Sequence, residues 1–229
     1  MYRPVLQHLP ATMSAPCHRR GHRERSNEHT VKNMGLLVTG VGGQGIILAS
    51  DIIGEAAMLE GFDVKKTDTL GMAQRGGSVV SHIRIGQKVY SPLISEGEVD
   101  FLLAFEKLEA VRWSNYLRSS ATVVINQYAQ PPLSVNLGNE QYPDDTEVTT
   151  MLGQRTDHIY IVAGTERARQ SGDVRALNMF MLGCASYFLP LKVQSWKDTI
   201  TERVPAKFRE MNITAFEAGR KDMRDVGRR

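Results

Sequence analysis

The stretch VTGVGGQGIILASDIIGEAA, Val38 to Ala57, decides the fold. It contains Gly40-Val41-Gly42-Gly43-Gln44-Gly45, which satisfies G-x-G-x-x-G. The residues before it, GLLVTGVG, read as a short buried strand ending in glycines. The residues after it, 44–60, read as a helix, because Ile46, Ile47, Ala49, Ile52, Ile53, Ala56 and Ala57 give a broad apolar face. Gly61 stands just past the helix end, where glycine is favoured. Strand, glycine turn and helix in that order open an α/β domain.

The same order is the right context for a phosphate-binding turn. Glycine permits positive φ and close backbone approach, and a helix N-terminus offers free N–H groups and partial positive charge. The dinucleotide reading also needs an acid roughly 20 residues on, at the end of the second strand. Asp63 comes too early, and Lys65-Lys66 occupy the expected place. Four readings of Gly40, Gly42, Gly43, Gln44 and Gly45 stay open. They are a nicotinamide cofactor, a ligand-free tight turn that lets the helix pack, another phosphate-bearing ligand, and a contact with a partner subunit.

Outward from this turn the pattern is regular. FDVKKTDTL (62–70) predicts a second strand. SVVSHIRIG (78–86) alternates with period two, so Val79, Ser81, Ile83 and Ile85 share a face. With VYSPLI (89–94) across the Gly86-Gln87-Lys88 turn it predicts an antiparallel hairpin. DFLLAFE, ATVVINQ and HIYIVAG read as buried strands, separated by KLEAVRWSNYL and EVTTMLGQRT as helices. Pro131, Pro132 and Pro143 mark 128–143 as a loop. Helix resumes at Thr165. VRALNMFMLGCASYFL is apolar nearly all round, Pro190 stops it, and two amphipathic helices close the chain. The expected fold is α/β, a Rossmann-like, mostly parallel sheet with helical cover, an inserted β-hairpin and a helical C-terminus. The expected divisions are a basic leader over 1–33, one domain over 34–191, and C-terminal helices over 192–229 packing on it.

Charge is uneven. The net charge is +3, but residues 1–33 hold Arg3, Arg19, Arg20, Arg23, Arg25 and Lys32 against Glu24 and Glu28. The rest of the chain is therefore slightly acidic, which argues against nucleic-acid binding. The leader also carries four of the six histidines. It reads as a disordered segment or an upstream start with Met34 as the natural initiator. A transit peptide is the sharper alternative, and a metal-binding tract fits poorly because the histidine spacings are irregular. No run of about 18 apolar residues reads as a membrane span. Cys17 and Cys184 are too few for an iron–sulfur cluster and fit a reducing cytoplasm.

A second glycine constellation runs Gly71-Met72-Ala73-Gln74-Arg75-Gly76-Gly77-Ser78. Arg75 is a permanent cation able to pair bidentately with a carboxylate or phosphate, and Gln74 and Ser78 add directional hydrogen bonds. The loop reads either as a mobile segment with its arginine in water or as an anion-recognising edge shared with another chain. No H-E-x-x-H, G-x-S-x-G or Walker A lysine occurs, and no Asp/Glu pair stands in an otherwise apolar setting. His82 falls out of phase with the apolar face of its strand, so solvent or an interface is expected there. His158 reads as structural or solvated, and Cys184 as a small core residue. The chain lacks a self-sufficient catalytic set.

Five motifs in order carry a resemblance: G-V-G-G-Q-G (40–45), G-M-A-Q-R-G-G-S-V-V-S-H-I-R (71–84), S-P-L-I-x-x-G-E-V-D (91–100), the glutamate of LLAFEKLEAVR, and N-M-F-M-L-G (178–183). Together they resemble the small subunit of indolepyruvate:ferredoxin oxidoreductase and, more distantly, the gamma subunit of other 2-oxoacid:ferredoxin oxidoreductases. Leu70 departs from the histidine the family often carries there. The resemblance implies a Rossmann-like subunit without redox centres. Its large partner binds thiamine diphosphate and [4Fe-4S] clusters, coenzyme A is co-substrate, and ferredoxin takes electrons through the complex. It implies catalysis only with the large subunit, and it agrees with the reading of Gly71, Gln74, Arg75, Gly76, Gly77 and Ser78, with the first glycine turn, as the ligand- or partner-facing loops. A pyruvate or 2-oxoglutarate enzyme of the same architecture and an autonomous nucleotide-binding module are the alternatives.

Overall fold

A computed structural model describes residues 33–70, 77–131 and 141–226. The leader expected over 1–33, including Cys17, falls outside the described residues except for Asn33. In chain order the elements begin with β1 (Met34–Val41), α1 (Ile46–Leu59), β2 (Asp63–Leu70), β3 (Ser78–Gly86), β4 (Val99–Ala104) and α2 (Lys107–Arg112). A 3₁₀ turn follows at Ser114–Tyr116, then β5 (Leu117–Asn126), α3 (Asp145–Gly153), β6 (His158–Val162) and α4 (Gly164–Gln170). The chain closes with α5 (Leu177–Phe188), α6 (Val193–Arg203) and α7 (Arg209–Val226).

The six strands form one sheet in the order β2-β3-β1-β4-β5-β6. β1, β4, β5 and β6 are parallel neighbours. β3 is antiparallel to both β1 and β2, so β2 runs parallel to β1 with β3 inserted between them. The sheet is thus mostly parallel, as its strand–helix alternation implies.

Side chains of the central strands alternate between two cores. Leu36, Val38, Phe101 and Leu103 face a large core built with α1, α5, α6 and α7. Leu37, Leu102, Ala104, Val123 and Ile125 face a smaller one closed by Ala110 of α2 and by Val148 and Leu152 of α3. Both faces are covered, which is why these strands read as continuous apolar runs. α5 is buried nearly all round because α7 lies against it. A methyl group on Gly183 would fall 2.0 Å from the Phe216 carbonyl oxygen, and one on Gly219 would fall 2.0 Å from that of Phe180.

The hairpin expected between 78–86 and 89–94 does not form. Both edges of β3 are already taken, by β1 and β2, so no ladder position remains for a third strand. Segment 89–94 is held by single bonds instead. The Val89 N–H donates to Asp63 Oδ2 at 2.8 Å, and the Ile94 N–H donates to His82 Nδ1 at 3.4 Å.

His82 also departs from expectation. It sits on the second-core face of β3, but that face is roofed by Ile94, and its ring meets Trp113 and Tyr116 edge-on. It is buried, 5% exposed, rather than turned to solvent. Cys184 is a buried core residue, with its thiol pKa pushed up by burial. His158 is exposed, as one of its two readings has it.

Candidate functional site

In open α/β sheets, ligands gather outside the carboxyl ends of strands where the winding direction reverses. Here that point lies between β1, whose crossover leads to β2 on one side, and β4, which starts the run to β6 on the other. A cleft of about 420 Å³ opens there, lined by Gly42, Gly43, Gln44 and Gly45 on one wall and by Tyr128, Gln130 and Thr165 on the other. Val174, Arg175, Leu177 and Asn178 complete it. An apolar hollow of about 170 Å³ adjoins, lined by Leu48, Met179, Val204, Pro205, Phe208 and Met211, and it shares Arg175 and Asn178 with the cleft.

The glycine turn is built by three constraints. Gly43 and Gly45 have φ of 103° and 78°, which L side chains rarely adopt. At Gly40 a methyl group would lie 2.6 Å from Gln44 Oε1 and 2.8 Å from Phe105 Cβ. Gln44 locks the turn from within, since its Oε1 accepts from the Val41 N–H at 2.8 Å and its Nε2 donates to the Phe105 carbonyl at 3.3 Å. Gly45 is the N-cap of the 14-residue α1 and supplies no side-chain cap, so the positive end of this helix begins at the cleft wall.

Asn178, at the start of α5, is 7% exposed and lines both hollows. Its Oδ1 accepts from the Met179 N–H at 3.0 Å, and its Nδ2 lies 2.9 Å from where a Gly45 methyl group would stand. Thr165 is fixed by Asn126, whose Oδ1 accepts the Thr165 N–H at 3.1 Å and whose Nδ2 donates to Thr165 Oγ1 at 3.0 Å. Arg175 is exposed, pairs with Asp173 at 2.6 Å and lies over the Phe208 ring. Hydrogen bonding to Asp173 raises its pKa. The lining therefore offers backbone N–H groups, an amide and a guanidinium. It suits an anionic group or a closely packed partner, and its described lining residues include no general acid–base pair.

The dinucleotide reading loses its second half in three dimensions. β3 stands between β1 and β2, so the end of β2 is not beside the glycine turn. The lysines at the expected acid position are committed elsewhere. Lys65 pairs with Asp63 at 2.5 Å, and Lys66 pairs with Asp51 at 2.5 Å and Asp68 at 2.9 Å. Burial pulls the Lys66 pKa down, but the bonds to Asp51 and Asp68 outweigh it and leave it raised.

Of the second constellation, Gly71, Gln74, Arg75 and Gly76 lie outside the described residues. Gly77 and Ser78 lie within them and meet the first turn's neighbourhood. The Gly77 carbonyl accepts from the Gly42 N–H at 2.9 Å, which joins the two glycine segments directly. Ser78 Oγ donates to Glu109 Oε2 at 2.5 Å. Leu70 closes β2 with its side chain 61% exposed.

The expectation that no acid pair stands in an apolar setting is overturned. Glu106 and Glu109 are 1% and 2% exposed. Glu106 caps α2, its Oε2 accepting the Glu109 N–H at 3.0 Å, and Glu109 pairs with Arg112 at 2.5 Å. In sequence Glu106 ends the apolar run DFLLAFE and Glu109 falls in the helix KLEAVRWSNYL, and nothing in FEKLEAVR signals that both carboxyl groups are buried. Asn178 and Glu106 are site-building residues to which the sequence assigns no role, although Asn178 opens N-M-F-M-L-G and Glu106 is one of the two glutamates of LLAFEKLEAVR. Tyr128 and Gln130 carry no local signal at all. Among the described residues, no group of three or more His, Cys, Asp or Glu side chains is arranged to hold a metal, and no helix is long and apolar enough to cross a membrane.

Residues 35–221 match the family model described as pyruvate ferredoxin/flavodoxin oxidoreductase. The chain is 38% identical over 189 residues to the indolepyruvate oxidoreductase subunit IorB of Methanothermobacter thermautotrophicus, covering 82% of this chain and 96% of that one. It is 33% identical over 199 residues to the IorB of Thermococcus kodakarensis, covering 86% and 98%. The 2-oxoglutarate synthase subunit KorC of Methanothermobacter marburgensis is more distant, 26% identical over 194 residues, covering 81% and 94%. Among solved structures, the gamma subunit of a keto/oxoacid ferredoxin oxidoreductase from Geobacter sulfurreducens shares the fold, with a TM-score of 0.63 at 22% identity over 84% of this chain and 99% of that one. The 2-oxoglutarate:ferredoxin oxidoreductase of Magnetococcus marinus, solved with 2-oxoglutarate, coenzyme A and succinyl-CoA bound, gives 0.67 at 19% identity, over 85% of this chain and 31% of that longer chain.

Proposed function

The chain belongs to the pyruvate ferredoxin/flavodoxin oxidoreductase family and is of the small-subunit type of the 2-oxoacid:ferredoxin oxidoreductases, and we propose that it completes a thiamine-dependent enzyme that oxidatively decarboxylates indolepyruvate or a related arylpyruvate. The carboxyl group leaves as carbon dioxide, the acyl group passes to coenzyme A, and the electrons pass to ferredoxin. One contrast carries the substrate class. Identity is 33–38% to the relatives named IorB and 25–27% to those named KorC or common subunit gamma.

The division of labour is the one the family resemblance implies, with thiamine diphosphate and [4Fe-4S] clusters in the large subunit. Two cysteines in the whole chain support it, since a cluster normally takes four. The cleft of Gly42–Gly45, which Gly77 joins through its bond to Gly42, receives the anionic co-substrate coenzyme A or the partner that delivers it, and the motif Gly71–Ser78 with Arg75 is assigned to the same recognition from its sequence. Residues 34–191 are the working domain, 192–229 close it, and 1–33 are a dispensable leader. The setting is a reducing cytoplasm.

Co-expression of the tagged full chain with a large thiamine-dependent subunit tests the reading. The two are expected to copurify and to reduce ferredoxin only when a 2-oxoacid and coenzyme A are present. The chain purified alone is expected to be colourless and inactive. An isolated chain with iron–sulfur absorption, or one that oxidises a 2-oxoacid unaided, overturns the proposal.

A further inference from the structure

β4 ends at Ala104, and the three residues after it are bonded to both walls of the cleft. The Phe105 carbonyl accepts from Gln44 Nε2 at 3.3 Å on the glycine side and from Asn126 Nδ2 at 3.2 Å on the other. The Lys107 N–H donates to the Tyr128 carbonyl at 3.2 Å. Between them, Glu106 Oε1 accepts from the Gln130 N–H at 3.1 Å and from the Tyr142 hydroxyl.

Capping α2 does not explain this glutamate. A helix N-cap needs one acceptor, and shorter Ser, Thr, Asp or Asn side chains supply it best. Glu106 uses only Oε2 for the cap. Its carboxylate is almost wholly buried and makes no ion pair with a described residue, an arrangement that is costly unless the remaining lone pairs are satisfied. The donors that satisfy them are Gln130 and Tyr142. Gln130 lines the cleft opposite the glycine turn. Burial and the Glu106 bond both raise the Tyr142 pKa, so this hydroxyl remains a donor across the physiological range.

We infer that Glu106 is a positioning residue for the cleft: through Oε1 it holds the Tyr128–Gln130 wall at a fixed distance from Gly42–Gly45. The consequence for turnover rests on the cleft facing coenzyme A, as proposed above. A misplaced wall then weakens capture of coenzyme A without touching the chemistry in the large subunit.

Glu106→Gln isolates this role. A glutamine cannot accept from the Glu109 N–H with one end and from Gln130 and Tyr142 with the other, because one end is an amide donor. Tyr142→Phe removes only one of the donors. Two measurements are made, amide hydrogen exchange of the full chain and steady-state kinetics of the enzyme assembled with its large subunit. Glu106→Gln is expected to speed exchange at the Gln130 amide by about tenfold or more. It is expected to raise the KM for coenzyme A by about threefold or more, with kcat and the 2-oxoacid KM nearly unchanged. Tyr142→Phe shifts both in the same direction by less. Unchanged exchange at Gln130 overturns the inference. So does faster exchange with a wild-type coenzyme A KM, or a fall in kcat alone, which marks only a loss of folded enzyme. If wild-type enzyme does not depend on coenzyme A, the functional reading fails, while the exchange arm still decides whether Glu106 holds the wall.

Discussion

Gly183 of α5 and Gly219 of α7 pack into each other's helices. Gly183 rests against the backbone at Phe216 and Arg220, and Gly219 against the backbone at Phe180 and Cys184. A side chain at either place meets main-chain atoms that cannot rotate away. Gly219→Ala is therefore expected to cost roughly 3 kcal/mol or more, at the upper end for overpacking. Urea unfolding measures it. A loss under about 1 kcal/mol, or the gain of about 1 kcal/mol that helix propensity alone gives alanine over glycine, contradicts the packing.

His82 makes the fold sensitive to acid. Burial, and then the charge of Arg84, lower its pKa in the folded chain below 6.5. The unfolded chain thus takes up the proton more readily. Its contribution to stability is intact above the unfolded value and is lost as pH falls below it. The urea midpoint is expected to fall between about pH 8 and pH 5.5, either side of the ordinary histidine value. His82→Gln, which keeps an acceptor for the Ile94 N–H but cannot charge, flattens the slope. A slope that survives in the variant contradicts this assignment.

Gly43 and Gly45 separate strain from space. Both have positive φ, so alanine at either costs about 1–2 kcal/mol of backbone strain. Nothing lies within 4 Å of a methyl group at Gly43, whereas at Gly45 Asn178 must turn and give up its bond to the Met179 N–H. Gly45→Ala is expected to lower Tm clearly more than Gly43→Ala. Equal falls show that Asn178 yields freely and is not a fixed wall of the cleft.

Ser78 is the described residue that ties the start of β3 to α2. Removing its hydroxyl takes a donor from the buried Glu109 carboxylate, which keeps its pairing with Arg112. Ser78→Ala is expected to cost about 1.5–3 kcal/mol, as for hydrogen bonds to charged groups. Ser78→Thr, which keeps the oxygen and suits a strand, recovers most of it. Matching urea midpoints for wild type and Ser78→Ala contradict the tie.

Local pattern made much of this molecule legible. The period of Ile46–Ala57 and the flanking glycines define β1, the turn and α1, and the apolar runs locate β4, β5 and β6. Long-range pairing was not legible. Nothing in SVVSHIRIG tells whether it pairs with the strand before it or the segment after it, and β3 in fact fills the gap between β1 and β2. Burial of polar groups was hidden for the same reason. His82 looks solvent-facing until Ile94 is seen to cover it, and Glu106 looks like the acid that ends an apolar strand until Gln130 and Tyr142 arrive from 24 and 36 residues away. Of the cleft, the glycine wall could be read from sequence, and the wall built by Tyr128, Gln130 and Asn178 could not.

The most direct test of the central claim is kcat/KM of the enzyme reassembled from this chain and its large subunit, measured over indolepyruvate, phenylpyruvate, pyruvate and 2-oxoglutarate with coenzyme A and ferredoxin. Indolepyruvate or phenylpyruvate is expected to be preferred by about tenfold or more, the discrimination available to a pocket that fits an aromatic group. Equal or greater kcat/KM with pyruvate or 2-oxoglutarate, or no 2-oxoacid oxidation by the assembled complex, contradicts it.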